Sequence, residues 1–374
     1  MAARRPKTPT REERAQQTTE KIDTLAASAL RQIKSKDNPS MDIPIRALSN
    51  VSFNEDSRLI QLGERTQQRE FFNVAMAKKY MQTFLVASAC KDLLARGKTT
   101  SIRDLFYMTK HTIKGCRENT FDDQTESDIV IEDLEVTLDA LREELHLFAA
   151  KRGSMVGPMV VVDAGDTINL ARMGSGGWSI PSITEENVIQ FKSCEAEYIL
   201  LVEKEAVWHR LNEDKFWRKH KCVLVTGNGQ ATRGVRRLMQ RMHNELKLPV
   251  YVLVDNDPWG LYIYSVLKQG SISLAYESMR MAVPDARFLG LRSRDFKRFQ
   301  LSEDVCITLE KEDEARAKQM LAYPWFQAKQ WQEEINDLLK AKFKMEIEAL
   351  SNKDISFVTD VYIPEKIANK DWLT

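Results

Sequence analysis

The stretch Pro249-Val-Tyr-Val-Leu-Val-Asp255-Asn-Asp257-Pro258-Trp-Gly260 constrains this chain more than any other. Five β-prone residues run directly into two carboxylates one residue apart, and Pro258 and Gly260 then end the strand and turn the chain. A buried parallel strand delivers acids to its carboxyl end in this way, and open α/β sheets keep their ligands at that end. Two carboxylates held so close repel each other unless a proton or a cation lies between them. A hard cation such as Mg2+, which takes one or two carboxylates and completes its shell with water and phosphate oxygens, suits the pair. Asp, Asn, Pro and Gly are also ordinary turn residues, so the dipeptide spacing alone fits a plain polar junction as well. A second run, Glu197-Tyr-Ile-Leu-Leu-Val-Glu203-Lys-Glu205, also ends in acids, and two acidic strand ends favour a metal site over two unrelated turns.

At 374 residues the chain has room for two or three domains with ample core. Its net charge of +1 conceals 29% charged residues, so gripping a polyanion requires a basic groove on an otherwise acidic body. No apolar run approaches the length of a membrane span and the start lacks a signal-type apolar core, so a soluble intracellular protein is expected. Cys90, Cys116, Cys194, Cys222 and Cys306 show no C-x-x-C spacing, which reads as reduced cytosolic thiols and argues against zinc.

Along the chain, Arg4, Arg5 and Lys7 open a disordered basic tip that leads into a helix, and residues 38 to 68 form a connector with Pro39 and Pro44. Helical periodicity spans Gln67 to Arg96, with Gly97 as its stop. The polar entry Thr99-Thr-Ser caps a second helix through Tyr107, and a third runs through Glu132 to Lys151. Three helices followed by β-prone Met159 to Asp163 suggest a winged-helix module, a common way to lay a helix in a DNA groove.

Met173-Gly-Ser-Gly-Gly-Trp-Ser-Ile-Pro181 reads as a flexible linker to the next domain. Cys222 to Arg233 reads as a strand, a glycine turn and the start of a helix bearing Arg233, Arg236, Arg237 and Arg241. Such a turn offers backbone N–H groups to a phosphate, or it is a plain turn before a solvated basic face. Arg287 to Asp295 reads as an edge strand with a basic exit, where Arg292, Arg294, Lys297 and Arg298 either track a DNA backbone or are simply exposed. Trp325 and Trp331 are expected packing anchors, and the tail from Phe357 shows no evident chemistry. No G-x-x-x-x-G-K-[ST] loop occurs, so any nucleotide is expected to bind elsewhere.

The pair Leu-Val-Glu203-Lys-Glu205-Ala and Val-Asp255-Asn-Asp257-Pro-Trp-Gly260 resembles the TOPRIM fold, and more specifically the topoisomerase VI A-subunit family with its meiotic double-strand-break relatives. The likeness runs from roughly Glu70 to the C-terminus. It implies an α/β protein: an N-terminal extension and connector (1–68), a winged-helix (CAP-like) cleavage domain (69–172), and a TOPRIM domain with a parallel sheet and C-terminal helices (173–374). Arg103-Asp104-Leu105-Phe106-Tyr107 matches the family segment that carries the DNA-cleaving tyrosine, which implies Tyr107 as nucleophile and Arg103 as its neighbour at the phosphate. Residues four apart share a helical face, which agrees with that pairing. The resemblance further implies Glu203, Asp255 and Asp257 as Mg2+ ligands, Glu203 also serving catalysis, with Lys110, Arg233 and Arg236 contacting DNA. The 227–233 loop departs from the family pattern: Asn228 stands where Lys is expected, and a Pro-Asp pair before Thr-Arg is missing.

The implied activity is that of the cleaving and rejoining component of an ATP-dependent type IIB topoisomerase, which forms a 5'-phosphotyrosyl intermediate while relaxing and decatenating double-stranded DNA. One tyrosine per chain implies a homodimer with its site assembled between protomers. It also implies an A2B2 heterotetramer whose B subunit binds ATP, in the cytoplasm and associated with the nucleoid. A meiotic-type transesterase that stops at the break, a metal-dependent TOPRIM nuclease and a non-catalytic DNA-binding scaffold are the alternatives.

Overall fold

The computed structural model describes residues 11–374; the basic tip read at Arg4, Arg5 and Lys7 lies outside the described residues. The described residues divide into two compact units, one built from those up to Asn50 and from Gly63–Ala150, the other from Val51–Leu62 and Lys151–Thr374. No described helix is long and apolar enough to cross a membrane.

The first unit begins with helix α1 (Arg11–Lys34) and strand β1 (Ser40–Pro44). Its connector then departs: β2 (Val51–Asn54) and β3 (Leu59–Leu62) form an antiparallel hairpin that belongs to the second unit. The chain returns as β4 (Thr66–Glu70), antiparallel to β1 with Arg69 opposite Met41. This corrects the helix expected from Gln67. Helix α2 (Val74–Ala95) starts only after Asn73, whose side chain accepts from the Ala75 amide, because a strong N-cap and strand pairing together override the weak upstream periodicity. Gly97, at φ +59, ends the helix as expected.

Two-residue strand β5 (Thr100–Ser101) leads into α3 (Ile102–Thr109), capped by Ser101 at the Asp104 amide. Helix α4 (Gln124–Leu138) is capped by Asp123 and stops at Asp139, which adopts φ +43, well short of Lys151. Strand β6 (Leu147–Phe148) then pairs in parallel with β5. Leu105 and Phe106 of α3 pack with Val86 and Cys90 of α2 and with Ile131 and Leu134 of α4.

In the second unit, β7 (Ser154–Val156), β8 (Met159–Asp163), β9 (Asp166–Asn169), β10 (Trp178–Ser179) and β11 (Ile189–Cys194) come first. Strand β8 is the middle of an antiparallel sheet ordered β11-β8-β9, so the run read as the end of a winged helix lies in the other unit. Nor is Met173 to Pro181 a free linker. Its β10 pairs with β7, and at Gly177, φ +70, a Cβ would come within 2.8 Å of the Trp208 ring.

The remaining elements alternate: β12 (Tyr198–Val202), α5 (Glu205–Glu213), α6 (Phe216–Lys219), β13 (Cys222–Thr226), α7 (Arg233–Leu246), β14 (Val250–Leu253), α8 (Pro258–Gln269) and β15 (Arg287–Phe288). The sheet order is β10-β7-β13-β12-β14-β15, with β13, β12, β14 and β15 mutually parallel. Strands buried on both faces read as unbroken apolar runs, and alternate residues serve opposite layers. Ile199, Leu201, Val223, Val225, Val250 and Val252 fill one core, whereas Leu200, Val202, Leu224 and Leu253 fill the other.

Of the basic exit after β15, Arg294, Lys297 and Arg298 stay exposed, as one reading expected, but Arg292 does not. Arg292 is buried against Glu334, and Arg294 and Arg298 bond Asp371. The tail is likewise more than an appendage: its buried Lys366 ammonium lies 3.0 Å from Asp295, and the Tyr362 hydroxyl donates to the same carboxylate at 2.9 Å. Trp331, 2% exposed, packs its ring 5.2 Å from Tyr264 and 5.5 Å from Phe288. Replacing it with alanine should destabilise the second unit by about 3–5 kcal/mol, the usual cost of emptying such a core site. Trp259, 48% exposed, should give a far smaller change in the same urea unfolding measurement.

Candidate active site

The acids sit where a parallel sheet exposes its strand ends. Glu203 immediately follows β12, and its amide donates to the Leu253 carbonyl at 3.0 Å, which ties it to the end of β14. Its Oε2 is buried and has no hydrogen-bond partner. Two residues beyond β14, Asp255 accepts from the Ile347 amide at 2.8 Å through Oδ1 and from Lys204 at 3.1 Å through Oδ2. Asp257 caps α8, its Oδ1 accepting from the Gly260 amide at 2.5 Å. Glycine is needed there, because a Cβ would fall 2.6 Å from the Asp255 carbonyl.

Burial, reinforced by the neighbouring Asp255 and Asp257 charges, pushes the Glu203 carboxyl up to about 7. Burial also raises Asp255 to about 6, although the Ile347 amide and Lys204 pull the other way. Asp257 is raised as well, again chiefly by burial, against its bond to the Gly260 amide. The three acids thus lie within electrostatic reach of one another and lack sufficient positive charge. Among the described residues, no three or more His, Cys, Asp or Glu side chains stand close enough together to hold a metal ion as they are placed. The donors are nevertheless all hard oxygens, and one of them is orphaned. That set fits a divalent ion that draws the rest of its shell from water and phosphate.

Nothing in the local sequence singles out Lys204, although it lies inside the Glu203-Lys-Glu205 motif. Its ammonium lies 3.1 Å from Asp255, 3.1 Å from Glu346 and 2.9 Å from Glu348. Burial works against its charge, but hydrogen bonding to Glu348 and the nearby Asp255 raise its pKa. The glutamates arrive on a segment that bridges the acidic turn, Asn256 and Met345 exchanging backbone bonds of 2.9 and 3.2 Å. No local signal marks Glu346 or Glu348 within a uniformly charged stretch.

The turn after β13 leans on the same corner: the Gly229 amide donates to the Glu203 carbonyl at 2.9 Å, and Asn228 adopts φ +53. Helix α7 corrects the expectation of a solvated basic face. Arg236 is 5% exposed, and burial pulls its pKa down to about 10. Arg237 forks onto Glu185, Arg241 donates to the Thr184 and Ile189 carbonyls, and Arg233 pairs with Glu277. These arginines face inward, with Arg236 buried and Arg233 ion-paired.

On the first unit, α3 turns Leu105, Phe106 and Thr109 into the core and leaves Tyr107 61% exposed. Arg103 is also exposed, one turn earlier on the same side. Lys110 follows, its ammonium bonded to the Asp122 carbonyl at 3.0 Å and 5.1 Å from the Phe106 ring centroid.

A carboxyl whose pKa is raised by folding favours the folded state only while protonated, so its contribution is complete below the unfolded value and vanishes as pH rises through the folded one. In metal-free protein, the contribution of Glu203 should therefore decline between about pH 4.5 and 7. Urea unfolding in chelator across that window should show the fall, and Glu203→Gln should flatten it.

Comparison with known families agrees with this architecture. The Toprim domain shared by Spo11 and the A subunit of topoisomerase 6 matches residues 198–367, type IIB DNA topoisomerase matches 78–147, and the all-beta domain in DNA topoisomerase VI alpha subunit matches 151–195. The chain is 45% identical over 362 residues to the A subunit of type 2 DNA topoisomerase 6 from Pyrococcus horikoshii, covering 94% of each. It is 42% identical over 360 residues to the Sulfurisphaera tokodaii protein of the same description, covering 92% of each. It is 36% identical over 358 residues to the A3 subunit of DNA topoisomerase 6 from Oryza sativa subsp. indica, covering 95% of this chain and 78% of that one. With likeness of this depth along nearly its whole length, and acids at the ends of a Toprim sheet, the chain belongs to the A-subunit family of topoisomerase VI, the type IIB DNA topoisomerases.

Proposed function

We propose that this chain breaks and rejoins duplex DNA through Tyr107, with Glu203, Asp255 and Asp257 as the sites for Mg2+. The observation that carries the reading is the under-compensated trio of acids at the strand ends, which matches the chemistry that a displaced nucleotide oxygen requires. The Tyr107 oxygen attacks phosphorus, the P–O3' bond breaks, and the DNA leaves as a 3'-hydroxyl with its 5'-phosphate esterified to the tyrosine. The reverse attack by the 3'-hydroxyl restores the strand and releases the phenol. Because the ester keeps the bond energy, no ligation cofactor is needed.

A phenol titrates near 10 in water, so its proton must be drawn off as it attacks. Arg103, exposed one turn before Tyr107, is suited to hold the phosphate and its developing charge. Glu203, which burial raises to about 7 in the metal-free chain, is the acid we assign to the proton at the 3' oxygen. Mg2+, when bound by the three acids, would supply Lewis-acid stabilisation of that oxygen and of the phosphate.

We read helices α2, α3 and α4 of the first unit as a winged helix, and assign Lys110, which follows α3 in the chain, as a DNA contact. A single nucleophilic tyrosine per chain calls for a homodimer to cut both strands. The relatives are described as one lettered component of a larger enzyme, which supports a further component; we assign it as an ATP-binding B subunit in an A2B2 assembly.

The test incubates the chain and its ATP-binding partner with supercoiled DNA and Mg2+, then traps protein on DNA with detergent. Tyr107→Phe should eliminate the covalent adduct and all cleavage; breaks that persist free of protein would mean hydrolysis by the metal site alone and would overturn the nucleophile. Asp255→Ala should lower cleavage by roughly 10²–10³-fold, the scale of losing one charge-stabilising group. Undiminished cleavage in that variant would remove the acids from the mechanism.

A further inference from the structure

Three carboxylates converge on a single ammonium beside the candidate metal site. Lys204 Nζ lies within 3.1 Å of oxygens of Asp255, Glu346 and Glu348, and it donates a hydrogen bond to Glu348. Two of the acceptors come from the segment that also donates the Ile347 amide to Asp255 and exchanges backbone bonds with Asn256. Removing the ammonium would leave three carboxylates facing one another, which is unfavourable without a cation between them. Asp255 stands at the centre of this arrangement. One face of it belongs to Lys204, while the Glu203 side holds the orphaned Oε2.

We propose that Lys204 is a positioning residue that fills a second cation position bounded by Asp255, Glu346 and Glu348. Its fixed charge fastens the Met345–Glu348 segment to the acidic turn, orients the Asp255 carboxylate, and confines a divalent ion to the Glu203 side of Asp255. The inference rests on the metal reading of the site given above. A divalent ion needs oxygens at about 2.0–2.6 Å, closer than an ammonium does, so side chains freed of Lys204 would have to draw inward. A neutral residue in place of Lys204 should therefore turn its three acceptors into an additional divalent site.

The experiment counts ions. The full chain is stripped with chelator, and Mn2+ binding is measured by titration calorimetry and by the loss of free-ion paramagnetic resonance signal. Lys204→Met should take up one more Mn2+ per chain than the unsubstituted protein, and adding Glu346→Gln and Glu348→Gln to that variant should return the count to the original. Without metal, Lys204→Met should melt below the unsubstituted protein, and Mg2+ should raise its Tm by more than it raises that of the unsubstituted chain. Equal Mn2+ counts and equal Mg2+ shifts in the two proteins would overturn the proposal. If the variant fails to fold in chelator, refolding it in Mg2+ should recover the native circular dichroism, and no recovery would overturn the proposal too. Failure of the underlying metal reading looks different, since the unsubstituted chain would itself bind no Mn2+.

Discussion

Carboxylates crowded at the ends of buried strands are the constraint from which much of the second unit follows. Placing Glu203, Asp255 and Asp257 there is costly for as long as they are charged, and the fold offsets only part of that cost. A helix start serves Asp257, a backbone amide and Lys204 serve Asp255, and Glu203 Oε2 is left without a partner. Burial raises all three carboxyls, two of them to between about 6 and 7. Strongly shifted groups in one corner are characteristic of sites that handle protons or cations.

The surroundings explain how this corner stays in place. Its floor is a sheet whose central strands are apolar on both faces, so the register of β12 against β14 is set by packing in two cores at once. Above it, the Met345–Glu348 segment, the Gly229 turn and the Asn256 bridge all bond to the acidic strand ends. Further out, charges are used as fasteners. The α7 arginines hold the 184–189 segment, and Asp295, Lys366 and Tyr362 bind the C-terminal tail to the loop after β15. These are buried, hydrogen-bonded ions. Their worth lies in specifying which segments meet, because the cost of removing each charge from water offsets much of its attraction.

Because so much charge is used internally, the net count does not describe the surface of the chain. A count of 55 basic and 54 acidic residues says little about surface potential when arginines such as Arg236, Arg241 and Arg292 are buried. The first unit presents its chemistry differently: α3 is a short capped helix whose apolar side is locked between α2 and α4, which fixes the direction in which Arg103 and Tyr107 project.

The parallel strands, their acidic ends and the tyrosine helix were all legible in the sequence. Each is written locally, as an apolar run or a cap. Tertiary pairing decided what local pattern could not: Thr66 to Glu70 became a strand because β1 lies beside it, Met173 to Pro181 became a sheet edge, and the 51–62 hairpin joined the second unit. The partners of charged residues were equally hidden, since nothing in the neighbourhood of Arg236 announces burial and nothing near Glu346 or Glu348 announces Lys204. Helix and strand propensities act over a few residues, whereas an ion pair between positions 204 and 348 exists only once the chain between them has folded.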